Sequence, residues 1–250
     1  MGVTAVALAA IALANPVAYL QSQQRPDGGY GSPQATAWVV LALHARGLEA
    51  PDAQAYVRAH AAELEAPTDV ALAALALGGP EDLLDRLPRS GPTVNSAIWT
   101  ILALHAAGRP IPPETLRYLT VSQAKSGGFA WARGVAPDSN DTAAAIQALR
   151  AAGVSGKPVE RALAFLARFR NADGGFALTP GRVSDSQSTA WAIQAYLAAG
   201  RKPPAGAAAF LRRMLRPDGS YRYSKQYAAT PLWVTSQVVP ALAGRPYSRW

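Results

Sequence analysis

The chain has no cysteine, so disulfides, thiolate metal sites, cysteine nucleophiles and internal thioesters are excluded at the outset. Histidine is nearly as scarce. His44, His60 and His105 are the only three, and no two stand at metal-ligand spacing. A Ser-His-Asp order, a phosphate-cradling glycine loop and a zinc motif are likewise missing, so neither a metal nor another cofactor is expected. Of 24 basic residues only Lys125, Lys157, Lys202 and Lys225 are lysine, and the net charge of +8 is carried almost wholly by arginine. Arginine neutralises phosphate, yet Arg212, Arg213 and Arg216, and the pair Arg168 and Arg170, lack the interleaved aromatics of a stacking platform. No nucleic-acid partner is expected; a solvated face, or loose attraction to an anionic envelope surface, is. No apolar run is long enough for a transmembrane span. The stretch from Val3 to Ala14 ends in Ala12-Leu13-Ala14 before Asn15-Pro16, the form of a signal-peptide core and cleavage site, but no basic segment precedes it. Residues 1–14 are read as a signal-peptide remnant or an N-terminal apolar helix. Export to an extracytoplasmic or secreted location is expected, with a cytoplasmic one left open.

What remains is a repeat. With 250 residues and 50% hydrophobic content the chain can bury a sizeable core. Four stretches match: VAYLQSQQRPDGGYG, LRYLTVSQAKSGGFA, LAFLARFRNADGGFA and AAFLRRMLRPDGSYR. Each carries an aromatic-aliphatic pair (Tyr19-Leu20, Tyr118-Leu119, Phe165-Leu166, Phe210-Leu211). Nine residues on from the aromatic comes Gly28, Gly127, Gly174 or Gly219, and two after that Tyr30, Phe129, Phe176 or Tyr221. A second, more apolar segment follows each turn, opening on Ser, Asp or Thr and mostly closing on Gly, the punctuation of a helix.

Gly127, Gly174 and Gly219 are 47 and 45 residues apart, but Gly28 and Gly127 are 99 apart, so that interval holds two units. Outer-type helices are then predicted near residues 15, 51, 80, 112, 157 and 203, each followed by an inner-type helix near 33, 67, 92, 138, 185 and 229. Six hairpins whose second helices are much the more apolar predict an all-α, α6/α6 toroid in one domain, residues 15–250. An open solenoid of helix pairs is the competing arrangement.

The turns resemble the repeat of squalene and oxidosqualene cyclases, and the chain resembles the terpene cyclase and prenyltransferase α/α-toroid superfamily. Arg161-Ala162, Phe165-Leu166, Gly174 and Phe176 follow that frame, and Gln24 and Gln123 keep its glutamine. The stretch PDSNDTAAAIQAL resembles the acidic motif of class II terpene cyclases, whose central aspartate protonates an alkene or epoxide. Asp138 and Asp141 match the flanking acids, but Asn140 holds the central place, and an amide cannot deliver that proton. Asp138 or Asp141 could substitute, since a carboxyl buried beside another keeps its proton more readily. Helix capping explains the same acids without function. Class II cyclases of this type also normally carry a second helical domain. The zinc site of protein prenyltransferases needs a cysteine and cannot be transferred, and the β domain of cobalamin carriers is not encoded.

In such toroids function sits where the inner helices begin. Gln34, Asn95, Asn140 and Gln187 hold equivalent places there. Four residues on come Trp38, Trp99, Ala144 and Trp191, with Trp233 in the last unit; three more give Leu41, Leu102, Gln147, Gln194 and Ser236. Spacing of four and then three keeps them on one helical face. That face either packs between the rings or lines a lumen, and the amides Gln147 and Gln194 favour the lumen, because a dry interface would have to satisfy them. His44 and His105, at matched helix ends, read as structural. The expectation is a protein that binds an apolar, isoprenoid-like or large cofactor-like ligand, or a partner segment, in its central cavity without turning it over. Trp38, Trp99, Trp191 and Trp233 would form the wall; Gln34, Asn95, Asn140, Asp141 and Gln187 would orient polar groups. The alternative is a reduced class II cyclase with Asp138 or Asp141 as the acid and the tryptophans stabilising cations.

Overall fold

A computed structural model describes residues 14–90 and 92–250. The segment read as a signal-peptide remnant or apolar helix lies, but for Ala14, outside the described residues. Helices of two kinds alternate along the chain. The outer kind comprises α1 (Pro16–Ser22), α3 (Pro51–Ala59), α5 (Glu81–Leu84), α7 (Pro113–Val121), α9 (Lys157–Ala167) and α11 (Ala207–Met214). The inner kind comprises α2 (Pro33–His44), α4 (Pro67–Ala76), α6 (Val94–Ala106), α8 (Ser139–Ala151), α10 (Ser186–Ala198) and α12 (Pro231–Leu242). Two short 3-10 turns, Ala61–Glu63 and Tyr247–Arg249, and isolated β-bridges accompany them.

Local chemistry sets the helix starts. The Asn15 side chain accepts from the Val17 and Ala18 N–H groups, with Pro16 at the first helical position. Thr93 and Ser96 form a reciprocal capping box on α6. Asp138 and Asp185 cap α8 and α10. Composition then sorts the two rings. In α2 every residue from Thr36 to Leu43 is buried, whereas α9 buries a stripe of Val159, Ala162, Leu163, Phe165 and Leu166. A helix apolar all round belongs inside, and one with a stripe belongs outside it.

The inner helices pack in sequence, α2 on α4 and so on to α12, and α12 packs back on α2. The ring is closed, and the open solenoid is ruled out. One pairing differs from expectation: each outer helix packs chiefly on the inner helix before it, and α1 packs on α12. The reason is connection length. The link from inner to outer helix is short and turns through a left-handed glycine such as Gly153, after which Val154 N–H donates back to Leu149 C=O. The link from outer to inner helix carries the whole repeated turn.

That turn docks on the next repeat. A Cβ on Gly127 would lie 2.5 Å from the carbonyl oxygen of Arg161 in α9, and one on Gly219 would lie 2.5 Å from that of Asn15. The backbone approach therefore needs glycine quite apart from φ. Gln123 Nε2 donates to Gly127 C=O and to Pro158 C=O, bracing turn and neighbour together. From within the unit, the N–H groups of Tyr30, Phe129, Phe176 and Tyr221 donate to the hydroxyls of Thr36, Thr142, Thr189 and Thr235 at 2.8–2.9 Å.

Candidate functional site

The starts of the inner helices converge on one mouth of the ring. Each loop after a turn there caps a neighbouring inner helix: Asn95 N–H donates to Trp131 C=O, Ser139 N–H to Leu178 C=O and Ser186 N–H to Tyr223 C=O. Between these starts lies a cavity of about 260 Å³, lined from every inner helix: Trp38; Thr68, Asp69 and Leu72; Asn95 and Trp99; Asn140, Asp141 and Ala144; Gln187 and Trp191; Trp233 and Gln237. A larger hollow of about 450 Å³ lies between the first repeated turn and α3, lined by Arg25, Asp27, Asp52, Tyr56 and His60, away from the starts of the inner helices.

The tryptophans meet across the ring. The Trp38 centroid is 5.3 Å from that of Trp99, 6.2 Å from Trp191 and 5.5 Å from Trp233, all edge to face. Trp191 donates its indole N–H to Gln237 Oε1 at 2.9 Å. The rings make a floor rather than a tube. Beneath it the chain's own C-terminal turn, Tyr247–Arg249, enters between α6, α8 and α10. Tyr247 is fully buried, with its ring 5.6–5.8 Å from Trp38, Trp99 and Trp191. Its N–H donates to Gln147 Oε1 at 2.8 Å. The Gln147 carbonyl oxygen thus has a partner from this chain, and the lumen is blocked at that end.

Polar groups form the rim. Thr68 Oγ1 donates to Asn95 Oδ1, and Asn95 Nδ2 donates to Asp141 Oδ1 at 3.1 Å. Asp141 N–H donates in turn to Asp138 Oδ1 at 2.8 Å. Burial, reinforced by the charge of Asp138, pushes the Asp141 carboxyl up to about 7, against the opposing hydrogen bond from Asn95. Burial also raises Asp138, opposed by the backbone N–H of Asp141. Asp185, held by Ser188 N–H and Oγ, is raised to about 6 by burial. Asp141 therefore holds a proton near neutrality at the edge of an aromatic-walled cavity.

Of the residues singled out by sequence, Trp38, Asn95, Trp99, Asn140, Asp141, Gln187, Trp191 and Trp233 line the one cavity. Gln34 does not; its amide donates to Asp69 Oδ2 at 3.1 Å, beside the rim. Asp138 is the α8 cap behind Asp141 and is not part of the cavity wall, so of the two acids singled out by sequence Asp141 lines the cavity, where Asp69 stands as a second acid. Thr68, Asp69 and Leu72 were missed, although Pro67-Thr68 aligns with Pro33-Gln34 and puts Leu72 at the tryptophan place. Gln237 and Tyr247 gave no repeat signal, since neither falls on the four-and-three spacing. Burial lowers the His44 pKa against the opposing charge of Glu49.

Neither a family model nor a curated protein sequence matches the chain. Solved structures do. The type II terpene cyclase MstE from Scytonema, without ligand, superposes with a TM-score of 0.70 at 16% identity, over 91% of this chain and 95% of that one. The chain has the terpene-cyclase fold. A variant of MstE in complex with geranylgeranyl dihydroxybenzoate, its substrate, gives 0.67 at 16% identity, over 91% and 94% of the two chains. A protein from Actinoplanes gives 0.62 at 18% identity, over 92% and 97%. The terpene-cyclase fold of MstE is thus matched along almost its whole solved chain. The second helical domain expected of a class II cyclase is not needed for that match.

Proposed function

We propose that the protein binds an isoprenoid-like apolar ligand in the mouth cavity without turning it over, on a scaffold of six helical hairpins in α6/α6 order. The observation that carries this reading is the convergence of Trp38, Trp99, Trp191 and Trp233 beneath a rim of amides and the carboxyls of Asp69 and Asp141. Aromatic faces with few, placed polar groups are the make-up of a small-molecule site. The volume of about 260 Å³ sits just below the ~300–1,000 Å³ range of drug-sized ligands, which favours an isoprenoid-like ligand over a large cofactor. That MstE holds geranylgeranyl dihydroxybenzoate supports the same ligand class. Asn140 stands where the class II motif has its proton donor, hence binding rather than turnover.

A second reading rests on Asp141. Asn95 donates to its Oδ1 and the Asp138 carboxyl pairs with it from behind, so a proton held by Asp141 would have to leave that pair to reach an alkene, and the tryptophan faces would stabilise the resulting cation. The two readings separate in one experiment. The protein is titrated with geranylgeranyl dihydroxybenzoate and with polyprenyl diphosphates, following tryptophan fluorescence, and the mixtures are then analysed for cyclised product. Saturable quenching with unchanged ligand is expected. Product that disappears in Asp141→Asn would replace binding with cyclisation, and no quenching with any ligand would sink both.

A further inference from the structure

The large exposed apolar side chains are concentrated on one end of the ring. Trp131 (52% exposed) and Val135 lie on the loop before α8, Leu178 and Val183 (58%) on the loop before α10, and Tyr227 (64%) on the loop before α12. The backbone fixes these loops at the mouth, because the carbonyls of Trp131 and Leu178 cap the starts of α6 and α8, and Trp233 at 37% exposure continues the patch into the cavity. Each loop also holds an exposed base: Arg133 two residues after Trp131, Arg182 next to Val183, and Lys225 two residues before Tyr227. Arg133 lies over the Tyr118 ring and donates to Ser122 Oγ, and Lys225 sits 3.4 Å from Asp173. Gly134 and Gly181, at the loop tips, have nothing within 4 Å of an added Cβ.

We propose that this arc is a membrane-docking face that seats the mouth of the ring on an anionic lipid surface. Three successive repeats present an exposed apolar or aromatic side chain, and in two of them the accompanying base, Arg133 or Arg182, makes no ion pair among the described residues, while Lys225 is paired with Asp173. That suits the headgroup layer, where tryptophan and tyrosine settle and bases meet anionic lipid. A patch of this kind on an ordinary soluble surface is uncommon, and its spread over three separate loops around the mouth, each with an exposed apolar side chain, matches a flat lipid surface. The acids on these loops do not oppose it: Asp138 and Asp185 turn inward as helix caps, and Asp173 is taken up by Lys225 and Ser184. Among the described residues no helix is long and apolar enough to cross a membrane, so the contact is interfacial. The mouth would then open toward the phase in which an apolar ligand dissolves.

Vesicle flotation tests this without reference to what the cavity holds. The protein should float with vesicles of phosphatidylcholine and phosphatidylglycerol and much less with phosphatidylcholine alone, and added salt should weaken the binding. Combined Trp131→Ser, Val183→Ser and Tyr227→Ser should lower partitioning at least about tenfold. Combined Arg133→Glu and Arg182→Glu should remove the preference for anionic vesicles by roughly the same factor. Leu48→Ser, an exposed apolar position on the link from α2 to α3, at the end of the ring opposite the inner-helix starts, should change nothing. These loop positions are exposed, and circular dichroism will show the variants folded. Failure to float with either vesicle, or full partitioning by the triple variant, overturns the proposal. So does a wild-type dimer that the triple variant abolishes, which would give the arc to a second copy. A protein that floats yet binds no prenyl compound would uphold this face while refuting the reading of the cavity.

Discussion

Asp141 is the residue at which the buried setting has the clearest chemical effect. Its carboxyl is raised to about 7 in the folded chain and returns to about 3.9 when unfolded. Between those values unfolding releases a proton, so this residue's contribution makes stability fall as pH rises from about 4 to about 7. Below about 4 both states are protonated and the dependence ends. Asp141→Asn, which keeps the shape and cannot ionise, should therefore flatten the melting-temperature profile across that window and melt higher than wild type above pH of about 7. Part of the slope should persist, because Asp185 is raised to about 6 with the same sign. Identical profiles for the two proteins would show that Asp141 is ionised throughout. The sequence displayed Asp138 and Asp141 as an equal pair. Which of them faces the cavity depends on a cap geometry that three-residue spacing alone does not reveal.

At the scale of the element, the repeated turn is held from two sides, and only one was legible beforehand. The glycines and closing aromatics stood out because they recur at fixed spacing. The threonine hydroxyls that receive the turn's N–H groups did not, since a threonine in the first turn of a helix already reads as a cap. Their partners lie six to fourteen residues back along the chain. Thr189 is fully buried and also donates to Asp185 C=O at 2.7 Å. Thr189→Val keeps the shape but leaves the Phe176 N–H without a partner, a loss of ~1–3 kcal/mol. Urea unfolding should show a lowered midpoint with an unchanged slope. Thr189→Ser, which restores the acceptor, should recover most of it. The boundaries of the inner helices were well marked because cap residues punctuate them. The pairing of outer with inner helices was not, since it depends on which of two links is short.

For the molecule as a whole, the apolar grading between the two helix series was enough to predict nested rings. Closure was not written in any one segment, because α1 and α12 are at opposite ends of the sequence and meet only once every unit has turned by its share. The C-terminal turn was equally hidden, for Gln147 and Tyr247 are a hundred residues apart. Tyr247→Ala should lower stability by ~3–5 kcal/mol, as loss of a large buried aromatic does. Tyr247→Phe should cost much less, because it keeps the ring that packs on the tryptophans and removes only the phenol oxygen, which lies beside the Gln194 amide. Thermal melts of the two variants distinguish a plug that supports the ring from one that merely fills it. Equal, small losses would mean the latter.

The seam between Gly219 and Asn15 also governs how the ring is made. During synthesis α1 emerges first and its partner α12 last, so for most of that time α1 has no helix to lie on. The growing arc presents an unfilled inner face at its leading edge. Bringing together positions so far apart adds little extra entropy, since loop closure grows only as the logarithm of length. The hazard is exposure: an incomplete arc shows a whole helix face of alanine, leucine and valine to its neighbours, and such species aggregate. Once shut, no repeat is terminal. A solenoid can fray from its ends and needs capping units, whereas here every unit has two neighbours and loosening one means opening the ring.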